Sequence, residues 1–115
     1  MRTTAGTITV ELGAGELLDK ITILKIKSRR ITDPAKLANV HHELAVLQQT
    51  WQDASLGSAE VMRLEEALEA VNLQLWDIED AIRECEASRD FGERFIELAR
   101  AVYITNDERA RLKRP

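Results

Sequence analysis

The longest regular pattern in this sequence is a row of apolar residues in its second half. Alternating spacings of three and four residues place such side chains along one side of an α-helix, as in coiled coils. A helix over residues 59–87 would be about 43 Å long at 1.5 Å per residue. Its apolar seam requires partner helices that cross it at a shallow angle, so it predicts an all-α fold. The seam is Val61, Leu64, Leu68, Val71, Leu75, Ile78, Ile82 and Cys85.

Two helices are predicted before the long one. The first covers residues 15–30 and is apolar over much of its circumference, which is typical of a helix buried between several neighbours. The second begins at Asp33-Pro34, because aspartate is a favoured N-cap and proline suits the first helical position. Residues 52–58 are predicted to connect it to the long helix, with Ser58 as the N-cap. The apolar stripe of the second helix is Leu37, Val40, Leu44, Leu47 and Trp51.

After the long helix, the sequence predicts one more helix with a break near its end. Asp90 and Glu93 have the spacing of a capping box, and Thr105 and Glu108 repeat it. We therefore expect a break over residues 104–106, followed by a short terminal helix that ends near Arg114. The apolar stripe of this helix is Phe91, Phe95, Leu98 and Val102.

The N-terminal residues have a different pattern. Residues 7–12 alternate β-branched or apolar side chains with polar ones, which predicts a short strand. We therefore divide the chain into an extended N-terminal segment, residues 1–13, and a single helical domain, residues 14–115. The complete prediction is an all-α protein whose four main helices form an antiparallel bundle, preceded by a short N-terminal strand.

Composition narrows the classes of function. The formal net charge is −4, and basic residues are interspersed with acidic ones, whereas nucleic-acid binders carry a basic face. We expect no nucleic-acid partner. No stretch is long and apolar enough to predict membrane insertion or a signal peptide, so a cytoplasmic protein is expected. The single cysteine, Cys85, permits no internal disulfide.

Residues for catalysis or metal binding are scarce. His41 and His42 are adjacent on a helix and point about 100° apart, so they do not share one small site. Glu65, Glu66 and Glu69 match half of the EExxE…ExxD magnesium motif of the all-α nucleotide pyrophosphohydrolases, but the second half does not follow. A solvated acidic face explains them better than a magnesium site. We predict no catalytic residues, no metal and no cofactor, and an enzyme is not favoured.

Polar and aromatic residues beside the seam suggest a second kind of site. Asn72, Trp76, Asp80 and Arg83 follow helical spacing on one side of the long helix. They indicate either a further packing face, which we favour because tryptophan is mostly buried, or a ligand pocket. Polar residues between 100 and 109 indicate either capping and salt bridges or the other half of that pocket.

Four stretches resemble a family of small all-helical bacterial proteins, an uncharacterised domain that is sometimes attached to glycosyltransferase-like proteins. The stretches are ELLDKITILKIK (16–27), KLANV (36–40), VNLQLWDIEDAIRECE (71–86) and FIELARAVYITNDERARLKR (95–114). The family pattern commonly has an acid at Ala81, glutamate at Lys25 and serine at Ala101. If that acid at Ala81 belonged to a shared site, this protein would lack it.

The resemblance implies a link to bacterial surface-glycan synthesis and supplies ligand-binding candidates, but no catalytic residues. Our main functional prediction is a non-catalytic interaction or oligomerisation domain. We expect a homodimer with the long helix and the N-terminal strand at its interface, or else a protein partner. The alternative is a domain or enzyme that binds a nucleotide or sugar phosphate in one cleft, with Arg83, Arg100 or Arg109 holding phosphate. The candidates are Asn72, Trp76, Asp77, Asp80, Arg83, Arg100, Tyr103, Asn106, Asp107 and Arg109.

Overall fold

The computed structural model describes residues 11–54 and 59–114. Over these ranges the chain is all-helical and contains no strand, which confirms the predicted fold class and helix number. The predicted strand lies mostly outside the described residues, and so does the predicted N-cap Ser58. The helices are α1 (Ala14–Arg30), α2 (Pro34–Ala54), α3 (Ala59–Ala87) and α4 (Glu93–Lys113).

The first three helices lie close to their predicted positions. The bounds of α3 are those that the apolar seam predicts. At the start of α2, Oδ2 of Asp33 accepts a hydrogen bond from the backbone N–H of Lys36 at 3.0 Å, which confirms Asp33 as the N-cap. Because α2 continues to Ala54, the connector is shorter than the predicted residues 52–58.

The predicted break in the fourth helix is wrong. α4 runs without interruption to Lys113 and passes through residues 104–106. The carboxylate of Glu108 accepts a hydrogen bond from Nε of Arg111 at 2.9 Å, so it is directed one turn onward and not back toward Thr105. The capping-box spacing at Thr105 therefore occurs inside a helix, where the backbone ladder already supplies the hydrogen bonds.

The start of α4 also differs from the prediction. Its N-cap is Gly92, without a side-chain cap, and the helix begins at Glu93. Asp90 was predicted as the cap, but its Oδ1 accepts a hydrogen bond from the N–H of Gly92 at 3.2 Å. Arg89 has φ of 54° and turns the chain after α3. Asp90 therefore stabilises the turn between the helices, and not the first turn of α4.

α1 is the element that the other helices share. It packs against α2, α3 and α4, and α3 and α4 pack against each other, whereas α2 contacts only α1 within the described chain. α1 supplies five of the ten buried apolar side chains. This accounts for the wide apolar surface of its sequence. The buried apolar residues are Leu17, Leu18, Ile21, Leu24, Ile26, Val40, Leu68, Val71, Leu75 and Cys85.

Much of the apolar seam of α3 is covered within the chain. Leu68, Val71 and Leu75 are buried, as is Cys85 near the end of the helix. The molecule is nevertheless elongated, with extents of 51 × 34 × 23 Å and a radius of gyration of 16.6 Å. A compact domain of this length has a radius of about 13 Å. None of the described helices is long and apolar enough to cross a membrane.

The contact between α1 and the end of α4 depends on a glycine. A β-carbon at Gly15 would lie 2.7 Å from the backbone oxygen of Lys113, whereas one at Gly13 would meet nothing within 4 Å. Gly15→Ser should therefore lower the free energy of unfolding by about 1–3 kcal/mol, although serine is the better helix former.

The same substitution at the neighbouring glycine is the matched control. Gly13 is the N-cap of α1, a position that serine favours, so Gly13→Ser should leave the stability unchanged or slightly raised. Urea unfolding of both variants measures the difference. Equal stabilities would contradict the close approach of Lys113 to Gly15.

Candidate functional site

A buried carboxylate joins α1 to α4. Asp19 is 2% exposed and lies on the apolar face of α1. Arg109 binds it with two hydrogen bonds, Nε to Oδ1 at 2.9 Å and Nη2 to Oδ2 at 2.7 Å. Lys113 adds a second positive charge, with its Nζ 3.6 Å from Oδ2. A paired arrangement of this kind is what makes a buried charge tolerable.

Asn72 connects α3 to the same carboxylate. Its Nδ2 lies 2.9 Å from Oδ1 of Asp19 and 2.9 Å from Oγ1 of Thr22. The hydroxyl of Thr22, which is fully buried, donates to the backbone oxygen of Asp19 at 2.9 Å. Among the described residues, no buried side-chain nitrogen or oxygen atom is left without a hydrogen-bond partner. The cluster therefore holds three helices together through one satisfied polar network.

The protonation of this cluster follows from its contacts. Burial alone would raise the pKa of Asp19, but the hydrogen bonds from Arg109 and Asn72 and the charges of Arg109 and Lys113 lower it below 3.8. The pKa of Arg109 is raised, chiefly by its hydrogen bonds to Asp19. Both groups therefore stay ionised at neutral pH, and the pair is suited to holding structure rather than to exchanging a proton.

A cavity of about 190 Å³ lies beside this network, between α1, α3 and α4. A second cavity, of about 160 Å³, lies next to it on α1, and Glu43 of α2 completes its lining. The two share Ile23 and Lys27, and we call them together the lysine groove. The first is lined by Ile23, Lys27, Asn72, Leu75, Trp76, Glu79, Asn106 and Arg109, and the second by Lys20, Ile23, Leu24, Lys27 and Glu43.

Four of the ten candidate ligand-binding residues meet at the first cavity of this groove. They are Asn72 and Trp76 from α3 and Asn106 and Arg109 from α4. Asn72 is buried, Trp76 and Arg109 are half-buried, and Asn106 is exposed. The guanidinium of Arg109 is already bound to Asp19, so it is not available to hold a phosphate unless that pair opens.

The other six candidates lie elsewhere, so the ten do not share one cleft. Asp77 pairs with Arg30 at 3.3 Å, and Asp80 pairs with Arg83 at 2.6 Å. A phosphate at Arg83 would compete with a carboxylate of the same chain. The remaining three are exposed on the outward side of α4: Arg100, Tyr103 and Asp107.

Two of the three glutamates in the partial magnesium motif pair with cations of α1. Glu65 pairs with Lys25 at 2.7 Å, and Glu69 pairs with Arg29 at 2.8 Å. In the described ranges, no three residues of the His, Cys, Asp and Glu types are placed to hold a metal ion. These glutamates therefore serve as ion-pair partners that attach α3 to α1.

The sequence-based reasoning missed Asp19, Lys20 and Lys27 as members of the site. One available signal was the position of Asp19 between the apolar residues Leu18 and Ile21, because a carboxylate on a buried helical face requires partners. The lysines gave no comparable signal, since a lysine on a helix is usually solvated. Their relation to Trp76 depends on how α1 packs against α3.

Comparisons of the chain with models of protein families, with curated proteins and with solved structures found no match. The resemblance to the bacterial helical family therefore stays a prediction from the sequence motifs.

Loss of the Asp19 carboxylate should destabilise the fold. Asp19→Asn leaves the half-buried guanidinium of Arg109 without its counter-charge, and we expect a loss of about 3 kcal/mol in the free energy of unfolding at pH 7. The double variant Asp19→Asn/Arg109→Gln should recover part of this loss, since no unpaired charge remains. Asp80→Asn, in an exposed pair, is the control and should cost less than about 1 kcal/mol.

This contribution should depend on pH in one direction. Because the pKa of Asp19 is lowered by folding, its stabilising effect is complete above the ordinary value of 3.8 and is lost as the pH falls through the lower, folded value. The stability gap between the parent and Asp19→Asn should therefore be constant from pH 7 to 5 and shrink below pH 3.8. Urea unfolding at several pH values measures it. A gap that grows with acid would contradict the pairing.

Proposed function

We propose that this chain is a non-catalytic interaction domain that forms a homodimer through the outward side of α4. The observation that carries this proposal is the exposure of that helix. None of the residues of α4 is fully buried, although it is 21 residues long. Its large apolar side chains Ile96, Tyr103 and Ile104 are 49%, 69% and 64% exposed.

The exposed residues of α4 form a regular stripe. Ile96, Arg100, Tyr103, Asp107 and Ala110 follow spacings of four, three, four and three, and we call this set the outward stripe. The opposite side of the helix packs on α1 and α3 with half-buried residues such as Leu98 and Val102. A helix with heptad spacing on both sides is suited to packing on both sides.

The outward stripe is self-complementary in one orientation. In an antiparallel pair of α4 helices with the two-fold axis between positions 103 and 104, Arg100 faces Asp107 of the partner subunit. Tyr103 of the stripe then faces Ile104 of the partner subunit, an exposed residue that flanks the stripe. Because a two-fold interface is isologous, each of these contacts occurs twice. Charge and apolar surface therefore both match a second copy of this chain.

The proposed interface lies on a different helix from the one expected from the sequence. The long helix was predicted to dimerise, but Leu68, Val71, Leu75 and Cys85 of its seam are covered within the chain. α4 exposes three large apolar side chains, more than any other helix of the described chain. The proposed dimer brings the α3–α4 hairpins of two subunits together, whereas the sequence predicted an antiparallel bundle among the four helices of one chain. The elongated shape of the single chain supports such an assembly.

A second function, small-molecule binding, is favoured by a separate observation. Asn72, Trp76, Asn106 and Arg109 come from two helices and line one cavity. A cavity with an aromatic wall and a few polar groups is typical of a ligand site. It lies on the side of α4 that faces α1 and α3, so this function does not require the outward stripe.

A charge exchange tests the dimer and its register together. Arg100→Glu places a carboxylate at position 100 opposite Asp107 of the partner subunit, and this pair of like charges occurs twice in the dimer. We expect this variant, and equally Asp107→Arg, to weaken dimerisation about tenfold. The double variant Arg100→Glu/Asp107→Arg restores opposite charges and should return the dissociation constant close to that of the parent. Sedimentation equilibrium over a dilution series measures these constants.

Truncation of apolar side chains distinguishes this interface from nonspecific hydrophobic association. Tyr103→Ala and Ile104→Ala should each weaken the dimer, because these side chains meet at the two-fold axis. Met62→Ala is the control, since Met62 is 63% exposed on α3 and outside the stripe. A parent protein that is monomeric at every concentration would overturn the dimer. A dimer in which the double charge variant is no tighter than the single variants would overturn this register.

A further inference from the structure

The basic residues of α1 divide into two groups. Lys25, Arg29 and Arg30 each pair with an acid of α3, at 2.7, 2.8 and 3.3 Å. Lys20 and Lys27 have no acidic oxygen within 4.0 Å anywhere in the described ranges. Both of these lysines line the lysine groove. The lysines of α1 that form no ion pair within the described chain therefore both lie at this groove, which Glu43 and Glu79 also line.

The spacing of the two lysines gives the groove its charged edge. Lys20, Ile23 and Lys27 are at positions i, i+3 and i+7 of α1, which places them on one side of the helix. The α-carbons of Lys20 and Lys27 are separated by about 10 Å along the helix axis at 1.5 Å per residue. Flexible stems allow both ammonium groups to approach an anion above Ile23, because lysine carries a compact charge on four methylene groups.

The opposite wall of the groove is aromatic and polar. Trp76 is half-buried on α3, and the exposed amide of Asn106 stands beside it on α4. An indole ring in such a position offers a flat face for a planar group. Arg109 belongs to the same wall, but its charge is neutralised by Asp19. Attraction for an anion therefore comes from α1, and attraction for a ring comes from α3.

The size and charge of the groove limit the ligand. A cavity of about 150 Å³ can hold a benzene molecule, so the cavity of about 190 Å³ beside Trp76 accommodates one ring. Glu79 in the first cavity and Glu43 in the second add negative charge at the rim. These carboxylates disfavour a polyanion such as a nucleoside triphosphate, and they are compatible with a ligand that carries one anionic group.

We propose that the lysine groove binds a small monocyclic organic anion. The anionic group, a carboxylate or a phosphate monoester, lies between Lys20 and Lys27, and the ring lies against Trp76. This inference rests on the small-molecule function proposed above and adds the ligand class and the two lysines. It also assigns anion binding to these lysines, whereas the sequence analysis named arginines for that role.

Fluorescence of Trp76 provides a direct test. The chain has two tryptophans, and Trp51→Phe leaves Trp76 as the only one. This variant is titrated with benzoate, phenyl phosphate, the neutral benzyl alcohol and inorganic phosphate. We expect saturable changes in fluorescence with benzoate or phenyl phosphate, and affinities at least tenfold weaker for the neutral ring and for phosphate alone. The stronger of the two anions identifies the anionic group.

Variants of the lysines assign the site. In the Trp51→Phe background, Lys27→Gln and Lys20→Gln should each weaken anion binding about tenfold, as expected for loss of a charged hydrogen bond. Lys36→Gln is the matched control, because it makes the same change of charge at an exposed position of α2 outside the groove. Thermal unfolding of each variant verifies that the fold is retained.

The outcomes separate the ligand class from the broader function. Equal binding of benzyl alcohol and benzoate, or equal affinities of the Lys27→Gln, Lys20→Gln and Lys36→Gln variants, would overturn the anion site while small-molecule binding stands. Absence of any change in Trp76 fluorescence, together with an unchanged melting temperature for all four probes, would overturn both. Neither result bears on the α4 dimer, which is measured by sedimentation.

Discussion

The ionised carboxylate of Asp19 sits on the apolar face of α1, and the packing of three helices is arranged around it. Burying such a group is unfavourable unless donors and positive charge replace the lost water. α1 itself supplies only the hydroxyl of Thr22 nearby, so the donors come from Asn72 of α3 and Arg109 of α4. A shifted register of either helix would leave the charge unpaired. The network therefore selects one arrangement, whether or not it adds net stability.

That requirement also decides which groups are available for recognition. Arg109 faces the cavity but is bound to Asp19 through two hydrogen bonds, and Lys113 supports the same carboxylate. On the other side of α1, Lys25 and Arg29 are bound to glutamates of α3. Lys20 and Lys27 are left at the groove. The sequence alone does not distinguish these lysines and arginines from one another. The packing of the helices determines which of them form ion pairs within the chain and which can bind a ligand.

Several elements could be predicted because their signals are local or long. The seam of α3 repeats without interruption, and Asp33-Pro34 combines two start signals at adjacent positions. The predicted break in α4 was wrong because the capping-box spacing of Thr105 and Glu108 can also occur inside a continuous helix. Helical spacing predicted that Asn72, Trp76 and Asp80 share one side of α3. Asn72 and Trp76 line the cavity beside α1, whereas Asp80 pairs with Arg83 of its own helix. The groove combines residues of several helices, and spacing within one helix does not reveal it.

Asn106 lies where the two proposed surfaces approach each other. It lines the cavity beside Trp76, and on α4 it is one turn from Tyr103 and Ala110 of the outward stripe. A second subunit on that stripe would border the open edge of the groove. Ligand binding and dimerisation would then be coupled, and the factor by which the ligand changes the dimer constant must equal the factor by which dimerisation changes ligand affinity. The sign of that coupling depends on whether the partner subunit contacts the ligand or narrows its entrance.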